Sequence, residues 1–323
     1  MLYAIGSALA LVTHHAGLPA DSAGRAAVAS WRAGRETEIV REYVDLLAIP
    51  NVASDSVNIR RNAAALVTML ERRGVAARLL EAPGSPPAVY GELTVPGATR
   101  TVVLYAHYDG QPVDTTRWAS SPWRPILRDK AIQAGGKEIP WPARGARFEP
   151  EWRIYARSTG DDKGSIIAQL TALDALRAQG ARPTVNLKFF FEGEEEAGSD
   201  HLRDMLTRHA ALLQADLWVF GDGPVHQTRR PQIVFGVRGV MGVQLTVYGP
   251  ARPLHSGHYG NWAPNPNVML AGLLASMRNE DGRILIDRFY DDVRPITPAD
   301  RSAFGRIPPV EEQLAGELRL RRT

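Results

Sequence analysis

The sequence predicts an α/β layer structure with a mostly parallel sheet, followed by a smaller α+β unit. Three observations carry this expectation. From about residue 60 to residue 222, short apolar runs alternate with segments of helical periodicity, the pattern of strand–helix–strand units. The run Thr-Val-Val-Leu-Tyr-Ala within Thr101–His107 is continuous enough for a buried central strand, and Val185–Phe191, ending in three phenylalanines, reads as a second buried strand. After Gln232 the style changes to one alternating strand, a helix and another short strand.

The chain has 323 residues, about two domains by length, and its 44% apolar and 23% charged residues are ordinary globular composition. The first stretch, Met1–Val12, is apolar and is followed by small residues, the length of a signal-peptide core and too short to span a bilayer. No Lys or Arg precedes Arg25, so residues 1–30 read as an N-terminal extension or a signal peptide, and the compartment, cytoplasmic or exported, stays open. Helices are expected at Glu38–Ile49 and at Asn58–Arg73, the latter closed by Gly74. Strands follow at Ala76–Leu80, Val89–Val95 and Thr101–His107.

Between Gly110 and Arg157 lies a long Pro-, Trp- and Gly-rich segment of the kind that is functional or carries a small subdomain. Lys163–Arg177 is a helix closed by Gly180, Val185–Phe191 a buried strand, Asp200–Leu213 a helix and Leu217–Phe220 a strand. Val240–Val247 alternates as a strand, Asn265–Arg278 is a helix and Arg283–Ile286 a strand. The expected division is 31–230 and 231–323.

Several function classes fall away on composition. The net charge is +3 with no long basic run, so nucleic acid is not an expected partner, and no later stretch is long and apolar enough for a membrane span. There is no cysteine, which excludes disulfides, thiolate zinc fingers and cysteine nucleophiles together and leaves His, Asp and Glu as metal ligands. No Gly-x-Ser-x-Gly elbow, P-loop or Gly-x-Gly-x-x-Gly fingerprint is present, and Ser256 is not an elbow serine.

In open α/β sheets ligands bind at the carboxyl ends of the strands, and four polar clusters fall there. His107-Tyr108-Asp109 places an imidazole and a carboxylate two residues apart, on one side of an extended chain. A lone His would more often be structural, but a nearby acid that steers the ring is what a metal-bound His requires. Asp161-Asp162 precede a helix; one Asp would serve as its cap, whereas two repel each other unless a cation is near, which puts Asp161 forward as a ligand beside the capping role. Glu192, Glu194, Glu195 and Glu196 follow the apolar Lys-Phe-Phe-Phe strand, where an unpaired charge is costly and coordination relieves it. Asp222, in Gly221-Asp222-Gly223-Pro224, is by itself first of all turn chemistry. Together these residues make an oxygen-plus-imidazole site suited to zinc, manganese or cobalt, with acids enough for two ions.

His107-Tyr108-Asp109, Thr159-Gly160-Asp161-Asp162-Lys163-Gly164, Glu192-Gly193-Glu194-Glu195-Glu196-Ala197-Gly198-Ser199 and Leu254-His255-Ser256-Gly257 stand in an order that resembles the dinuclear-zinc dipeptidase and deacylase family, peptidase family M20. The form of the glutamate motif, and the spacing from Asp222 through Pro231 to Gly236-Val237-Arg238-Gly239, are most similar to its carnosine-type dipeptidases. The resemblance implies a zinc-peptidase-like three-layer catalytic domain (31–230, its N-terminal portion) with an inserted ferredoxin-like α+β lid that dimerises the enzyme (231–323, partial). It implies His107 and Asp222 as ligands of one zinc, Glu196 as ligand of the other and Asp161 as the bridge. Asp109 would orient His107, and Glu195 would act as general acid and base. His255 would reach from the lid into the partner subunit's site to stabilise an oxyanion.

The implied substrate is a small peptide or acyl-amino acid, cleaved at an amide bond beside a free carboxylate, and the implied partner is a second copy of the chain. The family also supplies a late His ligand to the second zinc, and no histidine follows His258. The alternative expectation is therefore an inactive fragment, incomplete at its C-terminus, that binds metal partially or only dimerises.

Overall fold

The computed structural model describes residues 22–230, 232–237 and 239–320. The signal-peptide-like stretch Met1–Val12 lies outside them. The chain divides into two compact units, Met1–Gly223 and Pro224–Thr323.

The first unit begins with three helices, α1 (Ser22–Ala33), α2 (Glu36–Leu47) and α3 (Ser56–Glu71). Asp55 caps α3 by accepting from the Asn58 amide at 3.0 Å. The helix then buries Ile59, Ala63, Leu66 and Leu70, an apolar stripe at helical spacing. Gly74, at φ +61°, ends the segment in the left-handed conformation that glycine adopts without steric cost.

Strands β1 (Ala76–Leu80), β2 (Ala88–Leu93) and β3 (Thr101–His107) follow. The segment after Gly110 forms a small antiparallel sheet of its own, β4 (Ile126–Arg128), β5 (Glu138–Ile139) and β6 (Arg153–Tyr155), in the order β5-β4-β6. The unit continues with α4 (Lys163–Ala178), β7 (Asn186–Glu192), α5 (Leu202–Arg208), α6 (Ala210–Leu213) and β8 (Leu217–Phe220).

The main sheet runs β1-β2-β7-β3-β8. β7, β3 and β8 are parallel, whereas β1 and β2 join antiparallel at one edge. This departs from a mostly parallel expectation for a simple reason: residues 81–87 between β1 and β2 are too few for the crossover that parallel neighbours need. Alternation along β7 sorts its three phenylalanines. Phe189 and Phe191 pack with α2, α3 and α4, and Phe190 packs on the other face with Met205 and Leu213 of α5 and α6. The result is a helix–sheet–helix sandwich, with each fully buried Leu, Ile or Phe contributing about 1.5–3 kcal/mol of transfer free energy. β8 is an edge strand, with Leu217 55% and Phe220 62% exposed. The helix expected over Asp200–Leu213 breaks at His209, whose backbone leaves the helical region and whose ring lies 3.1 Å from the Glu81 carbonyl.

In the second unit the helices are α7 (Ser256–Tyr259), α8 (Pro266–Ser276), α9 (Pro298–Phe304) and α10 (Glu311–Glu317). The strand expected over Val240–Val247 does not form among the described residues. Val240 is 98% exposed and Val243 69%, and among the described residues no neighbouring segment offers the ladder that a strand requires. Arg283–Ile286 contributes only a single bridge, Ile284 to Arg278. No helix among the described residues is long and apolar enough to cross a membrane.

Candidate metal centre

Parallel pairing brings three of the polar clusters to one edge of the sheet. His107, the last residue of β3, stands opposite Glu192, the last of β7, and Tyr105 stands opposite Phe220 of β8, so Asp222 follows at the same end. The chain passes from β3 through α4 to β7 on one side and then to β8 on the other side of β3. That reversal opens the crevice in which α/β sheets hold ligands. The N-terminus of α4 supplies Asp161 and Asp162 to the same place.

His107 is fully buried and is the hub of the cluster. Its Nε2 lies 2.8 Å from Asp161 Oδ1, 3.9 Å from Glu195 Oε2 and 3.9 Å from Asp222 Oδ2, and its Nδ1 lies 3.3 Å from Asp109 Oδ1. Burial alone would lower the affinity of the ring for a proton. The Asp109, Asp161 and Asp162 carboxylates outweigh it and raise the His107 pKa to about 10. Glu195, partly buried beside Asp222, Glu196 and Asp109, is pushed above the usual carboxylate range by desolvation first and those charges second, with His107 opposing. Asp162 is raised to about 6, chiefly by burial.

Asp109 has a part that its place in the sequence does not announce. Its Oδ1 accepts from the Glu195 amide at 3.1 Å and its Oδ2 from the Glu196 amide at 3.0 Å, while His107 Nδ1 makes no directed hydrogen bond. Asp109 thus fixes the turn that carries both glutamates as well as standing beside the imidazole. Glu196 is also held from the side, by Gln111 Nε2 at 2.7 Å from its Oε2. Glu194 turns away from the cluster and receives the His201 ring at 2.9 Å and the His201 amide at 2.8 Å, which closes the loop after β7.

The donor set fits a divalent cation. Ligand atoms of His107, Asp162 and Asp222 all lie within 4.8 Å of one another, and several carboxylates gather on one buried imidazole, a concentration of negative charge that calls for a positive one. Asp161 and Asp162 differ in placement. The Asp161 side chain is 68% exposed and bonded to His107 Nε2, whereas Asp162 is 1% exposed and takes the His107 amide at 3.2 Å on Oδ2. Asp162 therefore enters the site beside the residue the motif singled out, with a second, backbone-supporting task.

Lys163 next to them is wholly buried, donating to the Leu46 carbonyl at 2.8 Å and the Ile49 carbonyl at 3.1 Å, and burial draws its ammonium down to about 7. Lys163 is marked in the sequence only as a member of the Thr159–Gly164 motif, with no role of its own, and Asn51, which bonds both ligand-bearing segments, looks there like an ordinary post-helix turn residue.

His255 belongs to the second unit. Its Nδ1 accepts from the Gly257 amide at 3.0 Å, its ring lies 4.8 Å from that of His258, and with Arg252, Asn261 and Asn265 it lines a cleft of about 970 Å³.

Residues 103–313 match the profile of peptidase family M20/M25/M40. A Cys-Gly metallodipeptidase of Schizosaccharomyces pombe is 30% identical over 232 residues, 71% of this chain and 44% of that protein. The human Beta-Ala-His dipeptidase is 29% identical over 225 residues, 69% of this chain and 40% of that protein. The chain thus spans less than half the length of these curated relatives. Among solved structures, an M20 family metallo-carboxypeptidase from Sulfolobus solfataricus superposes with a TM-score of 0.68 at 30% identity, over 88% of this chain and 60% of that one. Human carnosine dipeptidase 1 shares the fold, with a TM-score of 0.63 at 21% identity over 93% and 62%.

Proposed function

This chain belongs to peptidase family M20/M25/M40, and on that premise we propose that it hydrolyses the amide bond of dipeptides or N-acyl amino acids that end in a free carboxylate. The observation that carries the reading is the convergence of Asp161, Glu195 and Asp222 on His107 Nε2 at 2.8–3.9 Å, at the carboxyl end of parallel strands. His107, Asp161, Asp222 and Glu196 would hold zinc, two ions per subunit, with manganese or cobalt as chemical substitutes. A divalent cation so bound polarises a carbonyl and lowers the pKa of water.

The chain's own residues do the rest. Glu195 takes a proton from the attacking water and passes it to the leaving amine. Its proton affinity is raised, chiefly by desolvation, which is the direction a group that accepts and then returns a proton needs. Asp109 keeps that glutamate in place through the two turn amides. The second unit acts as lid and dimer contact, and His255 supports the developing oxyanion in the partner subunit's site.

Elemental analysis of the purified chain, with hydrolysis of Cys-Gly and β-Ala-His measured on the same sample, tests the reading. Near two zinc ions per chain, with hydrolysis that a chelator stops and added zinc restores, is the expected result. Hydrolysis that survives the chelator overturns the metal assignment, and a zinc-loaded chain inert toward dipeptides and N-acyl amino acids overturns the peptidase assignment.

A further inference from the structure

We propose that Asn51 is a positioning residue for the metal centre, locking together the two chain segments that carry its ligands; this rests on the reading of the His107 cluster as a metal site. Asn51 is 2% exposed and stands just beyond the C-terminus of α2. Its Nδ2 donates at 2.8 Å to the Tyr108 carbonyl, between His107 and Asp109, and at 2.8 Å to Ser158 Oγ, at the head of the turn that leads to Asp161. Its own carbonyl accepts from the Gly110 amide at 2.9 Å. One side chain therefore sets the spacing between the end of β3 and the entry to α4, without itself reaching the ligand atoms.

Two features show that the clamp holds something that would otherwise relax. Ser158 has φ +61°, the left-handed region that a non-glycine residue adopts only when its surroundings impose it. Ser158 Oγ, besides receiving Asn51, donates to the Asp109 carbonyl at 3.3 Å, and a Cβ on Gly110 would collide with this hydroxyl. The Ser158 turn is thus pressed against the Asp109–Gly110 backbone at a distance that only glycine permits, and Asn51 supplies the hydrogen bonds that keep it there. Supporting residues of this kind typically cost 10–100-fold in metal affinity when they are lost.

The test is a zinc titration of the whole 323-residue chain against a competing chelator, with thermal unfolding of the metal-free protein recorded in parallel. Asn51→Leu, nearly the same shape without the donor, is expected to weaken zinc binding about 10-fold or more. Asn51→Ala serves if the leucine variant does not fold. Adding Ser158→Gly to either should restore much of the affinity, because glycine takes the left-handed conformation freely and needs no donor. A general loss of stability would lower the melting temperature without that rescue. Wild-type affinity in the Asn51 variants, or a loss that Ser158→Gly does not repair, overturns the proposal. Failure of the wild-type chain to bind zinc overturns the metal reading, and the proposal with it.

Discussion

Glu195→Gln is expected to lower dipeptide turnover about 10²–10⁴-fold while the zinc content stays at the wild-type level. Glu195 stands apart from the compact donor grouping. Its carboxylate is 38% exposed and lies 3.9 Å from His107 Nε2, beyond hydrogen-bond reach of the imidazole and outside the His107, Asp162 and Asp222 grouping. Its backbone, by contrast, is pinned by Asp109, so a glutamine keeps the turn and the shape of the side chain and loses only the ability to carry a proton. Glu196→Gln, one residue on, should do the reverse and reduce zinc content first, because Glu196 is the acid assigned as a ligand and is held by Gln111. Kinetics and elemental analysis on the two variants side by side read the difference. If the Glu195 variant loses metal, Glu195 is a ligand and the base must be sought elsewhere.

What the sequence disclosed follows from where its signals are local. Thr-Val-Val-Leu-Tyr-Ala before His107 and Lys-Phe-Phe-Phe before Glu192 are short apolar runs rich in β-branched and aromatic residues, as buried strands are, and the polar residues directly after them fall at the strand ends. His107 and the glutamate cluster stand out on that basis, the choice of Asp161, Glu195, Glu196 and Asp222 as site residues comes from the family resemblance of the motifs, and Asn51 is marked by neither. Its importance lies in contacts with Tyr108 and Ser158, 57 and 107 residues further along the chain, and an Asn after Pro50 looks like any turn residue. The antiparallel edge of β1 and β2 was legible only through the length of residues 81–87, a constraint of connection rather than of composition. Alternation in Val240–Val247 failed for the complementary reason: period two marks a segment able to be a strand, and a strand exists only where a neighbour pairs with it.

Asp161 and Asp162 pose the sharpest choice, and substituting each in turn separates them. Asp161→Asn is expected to reduce zinc affinity by more than the roughly 10–100-fold typical of a supporting residue, because it removes a carboxylate aimed at His107 Nε2 from 2.8 Å on a side chain otherwise free to reach an ion. Asp162→Asn is expected to keep most of the zinc, because the amide oxygen can still accept from the His107 backbone N–H, the contact that occupies Oδ2 at 3.2 Å. Its effect should fall on thermal stability instead, since Asp162 is 1% exposed and ties the start of α4 to the end of β3. Bridging two ions requires both oxygens of a carboxylate to face the site, and a carboxylate already engaged by the backbone meets that demand less well than its exposed neighbour. Chelator-competition titrations of the two variants decide it. Zinc retained in the Asp161 variant and lost in the Asp162 variant would move the bridging role one residue along, to the acid that shares a compact donor grouping with His107 and Asp222.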